Sequence, residues 1–157
     1  MSLPEGFEIR RATIYDADLL VEHRRAMFHD IGYRDEVALD LMAAKFRVWL
    51  TEHMNAGDYL AWLILAQDGS VAAGTGLWLM DWPSHMVGRS EQRANILNVY
   101  TAENFRRRGL ARLLMDAVLQ WCRDNQIDTI ILHASPAGRP LYESMGFKPT
   151  NEMRLQL

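Results

Sequence analysis

The chain has 157 residues, of which 49% are hydrophobic and 24% are charged, a composition typical of a globular protein with one core. A single domain over residues 1–157 is therefore predicted. The net charge of -3 disfavours a general nucleic-acid-binding protein, which usually carries a basic surplus. One cysteine, Cys122, excludes an internal disulfide. The chain shows neither a signal-peptide pattern nor a bilayer-length apolar run, so we expect a cytoplasmic protein without membrane contact.

Two helices are predicted after a short first strand at residues 8–11. Thr13 and Asp16 have capping-box spacing and open helix one, which runs through Phe28. Helix two follows the break at Gly32 and stops at residues 55–57, where Gly57 is a favourable end. An apolar face of this helix recurs at helical spacing and is widened by three further residues: Val37, Leu41, Ala44 and Val48, then Phe46, Trp49 and Leu50.

Three strands are predicted next. Residues 59–66 are short and almost wholly apolar, Asp68-Gly69 is a hairpin turn signal, and residues 71–80 read as the returning strand. Residues 81–93 contain a proline and a glycine without a usable period, which predicts a loop before a fourth strand at 94–101.

The third helix is the clearest element of the sequence. Its core face repeats at i, i+3, i+4, i+7, i+8, i+11 and i+12, with Leu110, Leu113, Leu114, Ala117, Val118, Trp121 and Cys122. A buried-type strand at 129–133 then completes a right-handed strand–helix–strand crossover. A loop at 135–138, a short helix at 139–145 closed by Gly146, and one or two edge strands within 148–155 follow. The fold class predicted is α/β (α+β), with a mixed, mostly antiparallel central sheet flanked by helices.

The segment from Asn98 to Ala111 carries the strongest functional signal. A strand passes through a turn with Arg106, Arg107, Arg108 and Gly109 into the third helix. Unpaired N–H groups and the helix dipole favour an anion at a helix start, and a glycine permits close approach to the backbone. The chain has no G-x-x-x-x-G-K-[ST] motif, and Gly74-Thr75-Gly76 lacks the third glycine of a dinucleotide fingerprint.

Two motifs in this setting resemble those of the GNAT superfamily of acyl-CoA-dependent N-acyltransferases. Arg106, Gly109 and Ala111 match its [QR]-x-x-G-x-[GA] signature at the start of the helix after the fourth strand. Residues 141–147, Leu-Tyr-Glu-Ser-Met-Gly-Phe, resemble its L-Y-x-x-x-G-F segment. Gly74 lies where the third strand of the family often has a glycine, and the order of elements agrees along nearly the whole chain. This agreement makes the resemblance more specific than either motif alone.

The resemblance implies acetyl-CoA as donor and names residues for each part of it. The pyrophosphate would lie on the backbone of Arg106, Arg107, Arg108, Gly109, Leu110 and Ala111, with pantetheine along Val99, Tyr100 and Thr101. The N–H of Val99 or Tyr100 would polarise the acyl carbonyl, and Tyr142 would protonate the leaving thiolate. Ser135 and Gly138 stand where many members have asparagine and alanine; Ser135 can still bond a pantetheine amide.

The implied activity is transfer of the acetyl group to a primary amine of a small molecule or a peptide by direct attack. The alternative is a non-catalytic acyl-CoA-binding sensor or interaction module, and a third option is a different anion-binding protein. No metal-ligand spacing is present, so no metal is expected. The resemblance and a final edge strand favour a homodimer. The motifs leave the general base open, with these candidates: Asn98 as a water holder, Glu22, Asp81, His85 and His133.

Several of these residues also have purely structural explanations. The arginine cluster could be a solvated turn, Tyr142 a core aromatic, His133 a buried core histidine and Cys122 an inert buried thiol. Three side chains near the 81–93 loop either line an acceptor pocket or close the end of the sheet, and we favour the pocket or a subunit contact: Trp78, Trp82 and Met86. Phe28 and Tyr33 occupy the region that shapes the acceptor site in the family.

Overall fold

A computed structural model describes residues 3–157 and contains one five-stranded sheet with helices on both faces. The strands, in the order β1-β2-β3-β4-β5 across the sheet, are β1 Phe7–Arg11, β2 Tyr59–Ala66, β3 Val71–Asp81, β4 Gln92–Thr101 and β5 Ile130–Leu132. The first four pair antiparallel, and β4 pairs parallel with β5. The mixed, mostly antiparallel sheet predicted from the sequence is confirmed.

Four α-helices of the described residues flank the sheet: α1 Ala17–Asp30, α2 Glu36–Ala56, α3 Leu110–Asp124 and α4 Arg139–Ser144. Short 3-10 turns at Ile14–Asp16 and Glu103–Phe105 precede α1 and α3. The predicted capping box is present, because the Thr13 N–H donates to the Asp16 carboxylate at 2.7 Å. No helix within residues 3–157 is long and apolar enough to span a bilayer.

Alternating residues of β2 point to two separate cores. Trp62 and Ile64 pack with the apolar face of α3, whereas Leu63 packs with α1 and α2. The predicted face of α3 is therefore buried between this helix and the sheet, with Leu114, Val118 and Cys122 fully enclosed. This packing holds the start of α3 against the end of β4.

The apolar face predicted for α2 is only partly correct. Val37, Leu41 and Val48 are 80%, 56% and 61% exposed, and Ala44 is exposed as well. The buried residues of the helix are Leu39, Phe46 and Leu50. A helix that packs on one face of a sheet buries a single stripe of side chains. Here Phe46 and Leu50, which the sequence analysis added to widen the predicted face, belong to that stripe.

The edge strands predicted within residues 148–155 are absent. Residues 148–157 form neither helix nor strand and are exposed. The strand they would join, β5, has only three residues instead of the five predicted, and Pro149 has no N–H to donate. His133 consequently lies beyond β5, exposed, with its ring nitrogen 3.2 Å from Glu152. The prediction of a buried core histidine was wrong, and the edge-strand argument for a homodimer is lost with the strands.

Candidate active site

A gap opens between β4 and β5 in the middle of the sheet. The two strands pair only at Ala94–Ile130, Asn95–Ile131 and Ile96–Leu132, and beyond Ile96 no strand within residues 3–157 pairs with β4 on that side. A groove of about 480 Å³ occupies the gap. Its lining comes from α1, β4, the segment after β5 and α4, and includes Phe28, Asn98, Val99, Ser135 and Tyr142.

A β-bulge in β4 determines which backbone groups face this groove. Asn98 has a φ of 58°, and the register with β3 shifts at this point. Beyond the bulge, the Ala102 N–H donates to the Ala72 carbonyl of β3 at 2.9 Å. Because N–H groups alternate between the two edges of a strand, those of Val99 and Thr101 point into the gap and that of Tyr100 points to β3. Of the two donors considered for an acyl carbonyl, Val99 is the one that faces the groove.

The turn between β4 and α3 presents a run of unpaired N–H groups. Arg107 and Gly109 have positive φ values of 61° and 77°, and Gly109 is the N-cap of α3. In the part of the chain that the structure describes, no protein acceptor takes the N–H groups of residues 107–112. These groups lie at the positive end of the helix dipole, so the turn has the geometry of an anion site.

The arginine side chains of this turn differ in their contacts. Arg106 bonds the Thr101 carbonyl through Nε at 3.0 Å and forms an ion pair with Asp30. Arg107 and Arg108 are exposed. The Leu110 side chain is buried and that of Ala111 is half-buried. Arg108 Nη2 donates to the Asn104 carbonyl at 3.3 Å, and its guanidinium carbon lies 5.6 Å from the Phe105 ring centroid. Arg106 and Arg108 therefore both brace the turn, whereas Arg107 has no hydrogen bond or ion pair among the described residues.

Tyr142 brings α4 to the same groove. Its ring is buried, yet among the residues described its hydroxyl has no hydrogen-bond partner. Burial raises the pKa of this phenol above its ordinary value, so the hydroxyl keeps its proton at neutral pH. Ser135 also lines the groove, and its Oγ accepts the Gly138 N–H at 3.2 Å. The structure thus places Tyr142, Ser135 and Val99 around one groove.

A buried polar cluster beside the bulge was missed by the sequence analysis. Arg24 Nη1 donates to Asn98 Oδ1 at 2.6 Å, and Asn98 Nδ2 donates to the Tyr59 hydroxyl at 3.1 Å. Burial raises the pKa of Tyr59 to about 12 and lowers the pKa of Arg24. Its members lie 39 and 74 residues apart, so no local pattern joins them. The one available signal was Asn98 itself. Asparagine is unfavourable inside an apolar strand, but it tolerates the left-handed backbone conformation of a bulge.

The His23 side chain lies next to this cluster, buried, with its ring centroid 4.9 Å from that of Tyr100. Burial lowers the pKa of His23 to about 4, so the imidazole is neutral at physiological pH. It lines neither the groove nor the cavity described next, and we regard it as a core residue.

A second cavity of about 770 Å³ lies between α1, α2 and the sheet. Two residues, Arg24 and Leu97, line both this cavity and the groove, so the two spaces meet at β4. Trp78 lines the cavity. Trp82 instead stacks under Arg93 at 4.0 Å beside a different surface cavity, and Met86 is fully exposed.

The candidate general bases are not gathered at one place. Asn98 and His133 line the groove, but both polar atoms of the Asn98 amide are already bonded within the protein. Glu22, Asp81 and His85 line neither the groove nor the adjoining cavity. Burial raises the pKa of the Cys122 thiol to about 11, consistent with an inert residue. Within residues 3–157, no three acidic, histidine or cysteine side chains cluster as a metal site would need.

Comparison with known proteins agrees with this geometry. A model of the acetyltransferase (GNAT) family matches residues 19–147. A GCN5-related N-acetyltransferase from Ralstonia eutropha JMP134 is 36% identical, with a TM-score of 0.90 over 97% of this chain and 99% of that one. A predicted acetyltransferase with acetyl-CoA from Clostridium acetobutylicum shares the fold, at 24% identity and a TM-score of 0.85 over 96% and 95% of the two chains.

Human N-acetyltransferase 8 is 34% identical over 65 residues, which are 40% of this chain and 29% of that protein. The match therefore spans less than a third of the relative. Because the family model covers most of the sequence, the chain belongs to the GNAT acetyltransferase family.

Proposed function

We propose that residues 1–157 form one acetyltransferase domain that transfers the acetyl group of acetyl-CoA to a primary amine of a small molecule or peptide. The observation that carries the proposal is the gap beyond Ile96, where the unpaired edge of β4 faces Tyr142 and continues into the turn of unpaired N–H groups. The pantetheine arm with its thioester needs an unpaired strand edge, and the pyrophosphate needs unpaired N–H groups. The edge of β4 and the turn that follows it provide these in that order along the chain. The Clostridium relative described with acetyl-CoA supports the same donor.

The residues present fit acetyl-CoA. The N–H groups of Gly109, Leu110 and Ala111 would hold the pyrophosphate, with Arg107 and Arg108 adding positive charge. Pantetheine would follow β4 from Thr101 to Val99, where Ser135 faces it across the groove. When bound, the thioester supplies an activated acyl group.

The protein groups then act at two atoms, the acyl oxygen and the departing sulfur. The Val99 N–H donates to the acyl oxygen and stabilises the charge that develops there. The amine nitrogen bonds to the acyl carbon, the carbon–sulfur bond breaks, and the amine proton passes to water. Tyr142 lies in the groove with a protonated hydroxyl. It would donate the hydroxyl proton to the departing sulfur and recover a proton from water before the next turnover. We also propose that the protein is cytoplasmic and that it forms a homodimer.

Release of free CoA thiol from acetyl-CoA, measured across a panel of primary amines, tests this function. We expect acceptor-dependent thiol release together with acetyl-CoA binding by isothermal titration calorimetry. Tight acetyl-CoA binding without release for any amine would instead favour the non-catalytic acyl-CoA-binding module. Absence of acetyl-CoA and CoA binding would contradict both.

A further inference from the structure

The cavity that adjoins the groove has apolar walls and only positive charge. Its aromatic wall consists of Phe46, Trp49 and Trp78, and aliphatic residues of α2 complete it. Arg24 and Lys45 are the charged residues of its lining, and within residues 3–157 no Asp or Glu lines it. Such a lining repels a polyamine and attracts an anion.

The buried end of this cavity contains a cation without a counter-charge. Among the described residues Arg24 forms no ion pair, and its one side-chain partner is the neutral Asn98 amide. Its Nε is buried and has no hydrogen-bond acceptor there. Burial without a carboxylate also lowers its pKa. Nη2 has no acceptor among the described residues either, and it is not closed to solvent as Nε is. An unbonded guanidinium N–H is costly, and an incoming carboxylate would satisfy that of Nη2.

The position of this guanidinium is well defined. The Arg24 guanidinium carbon lies 5.0 Å from the centroid of Phe28 and 4.6 Å from that of Phe46, and Asn98 of the bulge accepts one of its N–H groups. Arg24 and Leu97 are shared between the cavity and the groove. An anion on Arg24 therefore lies close to the strand along which we place the thioester.

A second unsatisfied polar atom lies on the same wall. Asn95 lines the cavity, and its buried Oδ1 has no donor among the residues described. This oxygen is closed to solvent, so a bound molecule reaches it only if the Asn95 side chain turns toward the cavity. The cavity thus combines a guanidinium that has an unbonded N–H group with a large aromatic surface.

We propose that the acceptor is a primary amine with a carboxylate a few bonds from the nitrogen and a large apolar body, as in an aromatic α-amino acid. Arg24 binds the carboxylate, with Lys45 at the cavity entrance, and the body packs on Phe46, Trp49 and Trp78. The amine is thereby placed beside Val99 on β4. This inference rests on the proposed acetyl transfer and specifies its acceptor.

The test compares acceptors that differ in one group at a time. L-Tryptophan, tryptamine and L-tryptophanamide share the indole and the amine, and only the first carries a carboxylate; spermidine and glucosamine 6-phosphate complete the set. One charge-assisted hydrogen bond contributes about tenfold or more to kcat/KM, so L-tryptophan should exceed both indole analogues by at least that factor. Faster CoA release with tryptamine, spermidine or glucosamine 6-phosphate than with L-tryptophan would overturn the inference.

Variants of the two cations that line the cavity test which of them binds the acceptor carboxylate. Arg24→Gln removes the bond to Asn98 as well as the carboxylate site, so it should lower kcat/KM for both acceptors, and for L-tryptophan about tenfold more than for tryptamine. Lys45→Gln, at an exposed position, should give a smaller loss in the same direction without a folding defect. Arg47→Gln is the matched control, because Arg47 is exposed on the same helix and does not line the cavity. Equal losses for both acceptors would contradict recognition of the carboxylate.

A binding measurement separates failure of this inference from failure of the proposed function. N-acetyl-L-tryptophan should raise the melting temperature of the wild-type protein, and N-acetyl-L-tryptophanamide should not. This readout needs no turnover. Equal stabilisation by both compounds, or by neither, would overturn the acceptor assignment even if CoA release with other amines establishes acetyl transfer.

Discussion

Replacing Tyr142 by phenylalanine removes one oxygen atom from the groove and tests the assigned acid. The hydroxyl has no protein partner within the described residues, so its loss should change the free energy of unfolding by about 0.5 kcal/mol or less. Because its raised pKa keeps it protonated, the same loss removes a proton donor at all pH values below about 10. General acid catalysis contributes about 10²-fold or more, so kcat should fall by that factor, or roughly 2.7 kcal/mol.

The assay is steady-state CoA release at a saturating acceptor concentration, with the KM for acetyl-CoA measured in parallel. We expect kcat to fall while KM changes by no more than about threefold, because the hydroxyl acts on the departing sulfur and not on cofactor binding. Tyr15→Phe serves as a control at a fully exposed tyrosine. If kcat of the Tyr142→Phe variant stays within about threefold of wild type while chemistry limits the rate, Tyr142 is not the acid.

Two further predictions concern the structure that supports the site. A Cβ at Gly76 would overlap the Tyr59 hydroxyl and ring, so Gly76→Ala should lower the free energy of unfolding by about 1–3 kcal/mol in urea denaturation; an unchanged midpoint would contradict this packing. Bonding to Arg10 and to the Thr13 N–H lowers the pKa of Asp16 to about 2, so its contribution to stability is complete above about pH 4 and is lost toward pH 2. Asp16→Asn should therefore cost about 1–2 kcal/mol at pH 7 and reduce the slope of stability between pH 4 and 2; parallel curves for the two proteins would refute this.

Local patterns were sufficient for the elements that carry strong periodicity or turn chemistry. The α3 face, the hairpin at Asp68-Gly69 and the capping box at Thr13 each depend on residues within a few turns of one another, and all were found. The Arg106 to Ala111 turn and Tyr142 were located because motif positions define them. That these two lie on either side of a gap between β4 and β5 required the sheet.

Long-range contacts explain what the sequence could not provide. Spacing indicates that α2 has an apolar stripe, but only the position of the sheet decides that Leu39 is buried and Val37 is not. Residues 148–157 form no edge strand because β5 has only three residues. The sequence after residue 147 does not indicate how short β5 is. Arg24 meets Asn98 across 74 residues, and the cavity between α1, α2 and the sheet, built from four separate segments, has no local sequence signature.

The central claim is that acetyl-CoA lies along β4 with its pyrophosphate on the turn before α3. Titration of the ¹⁵N-labelled protein with acetyl-CoA, followed by amide resonances, tests this claim residue by residue. The N–H signals of Gly109, Leu110 and Ala111 should move most as they bond to phosphate oxygens, together with that of Val99. The signal of Gly57, which ends α2 at the opposite end of the sheet, should stay in place. At saturating acetyl-CoA, an unmoved Gly109 with shifts confined to other parts of the chain would contradict the account.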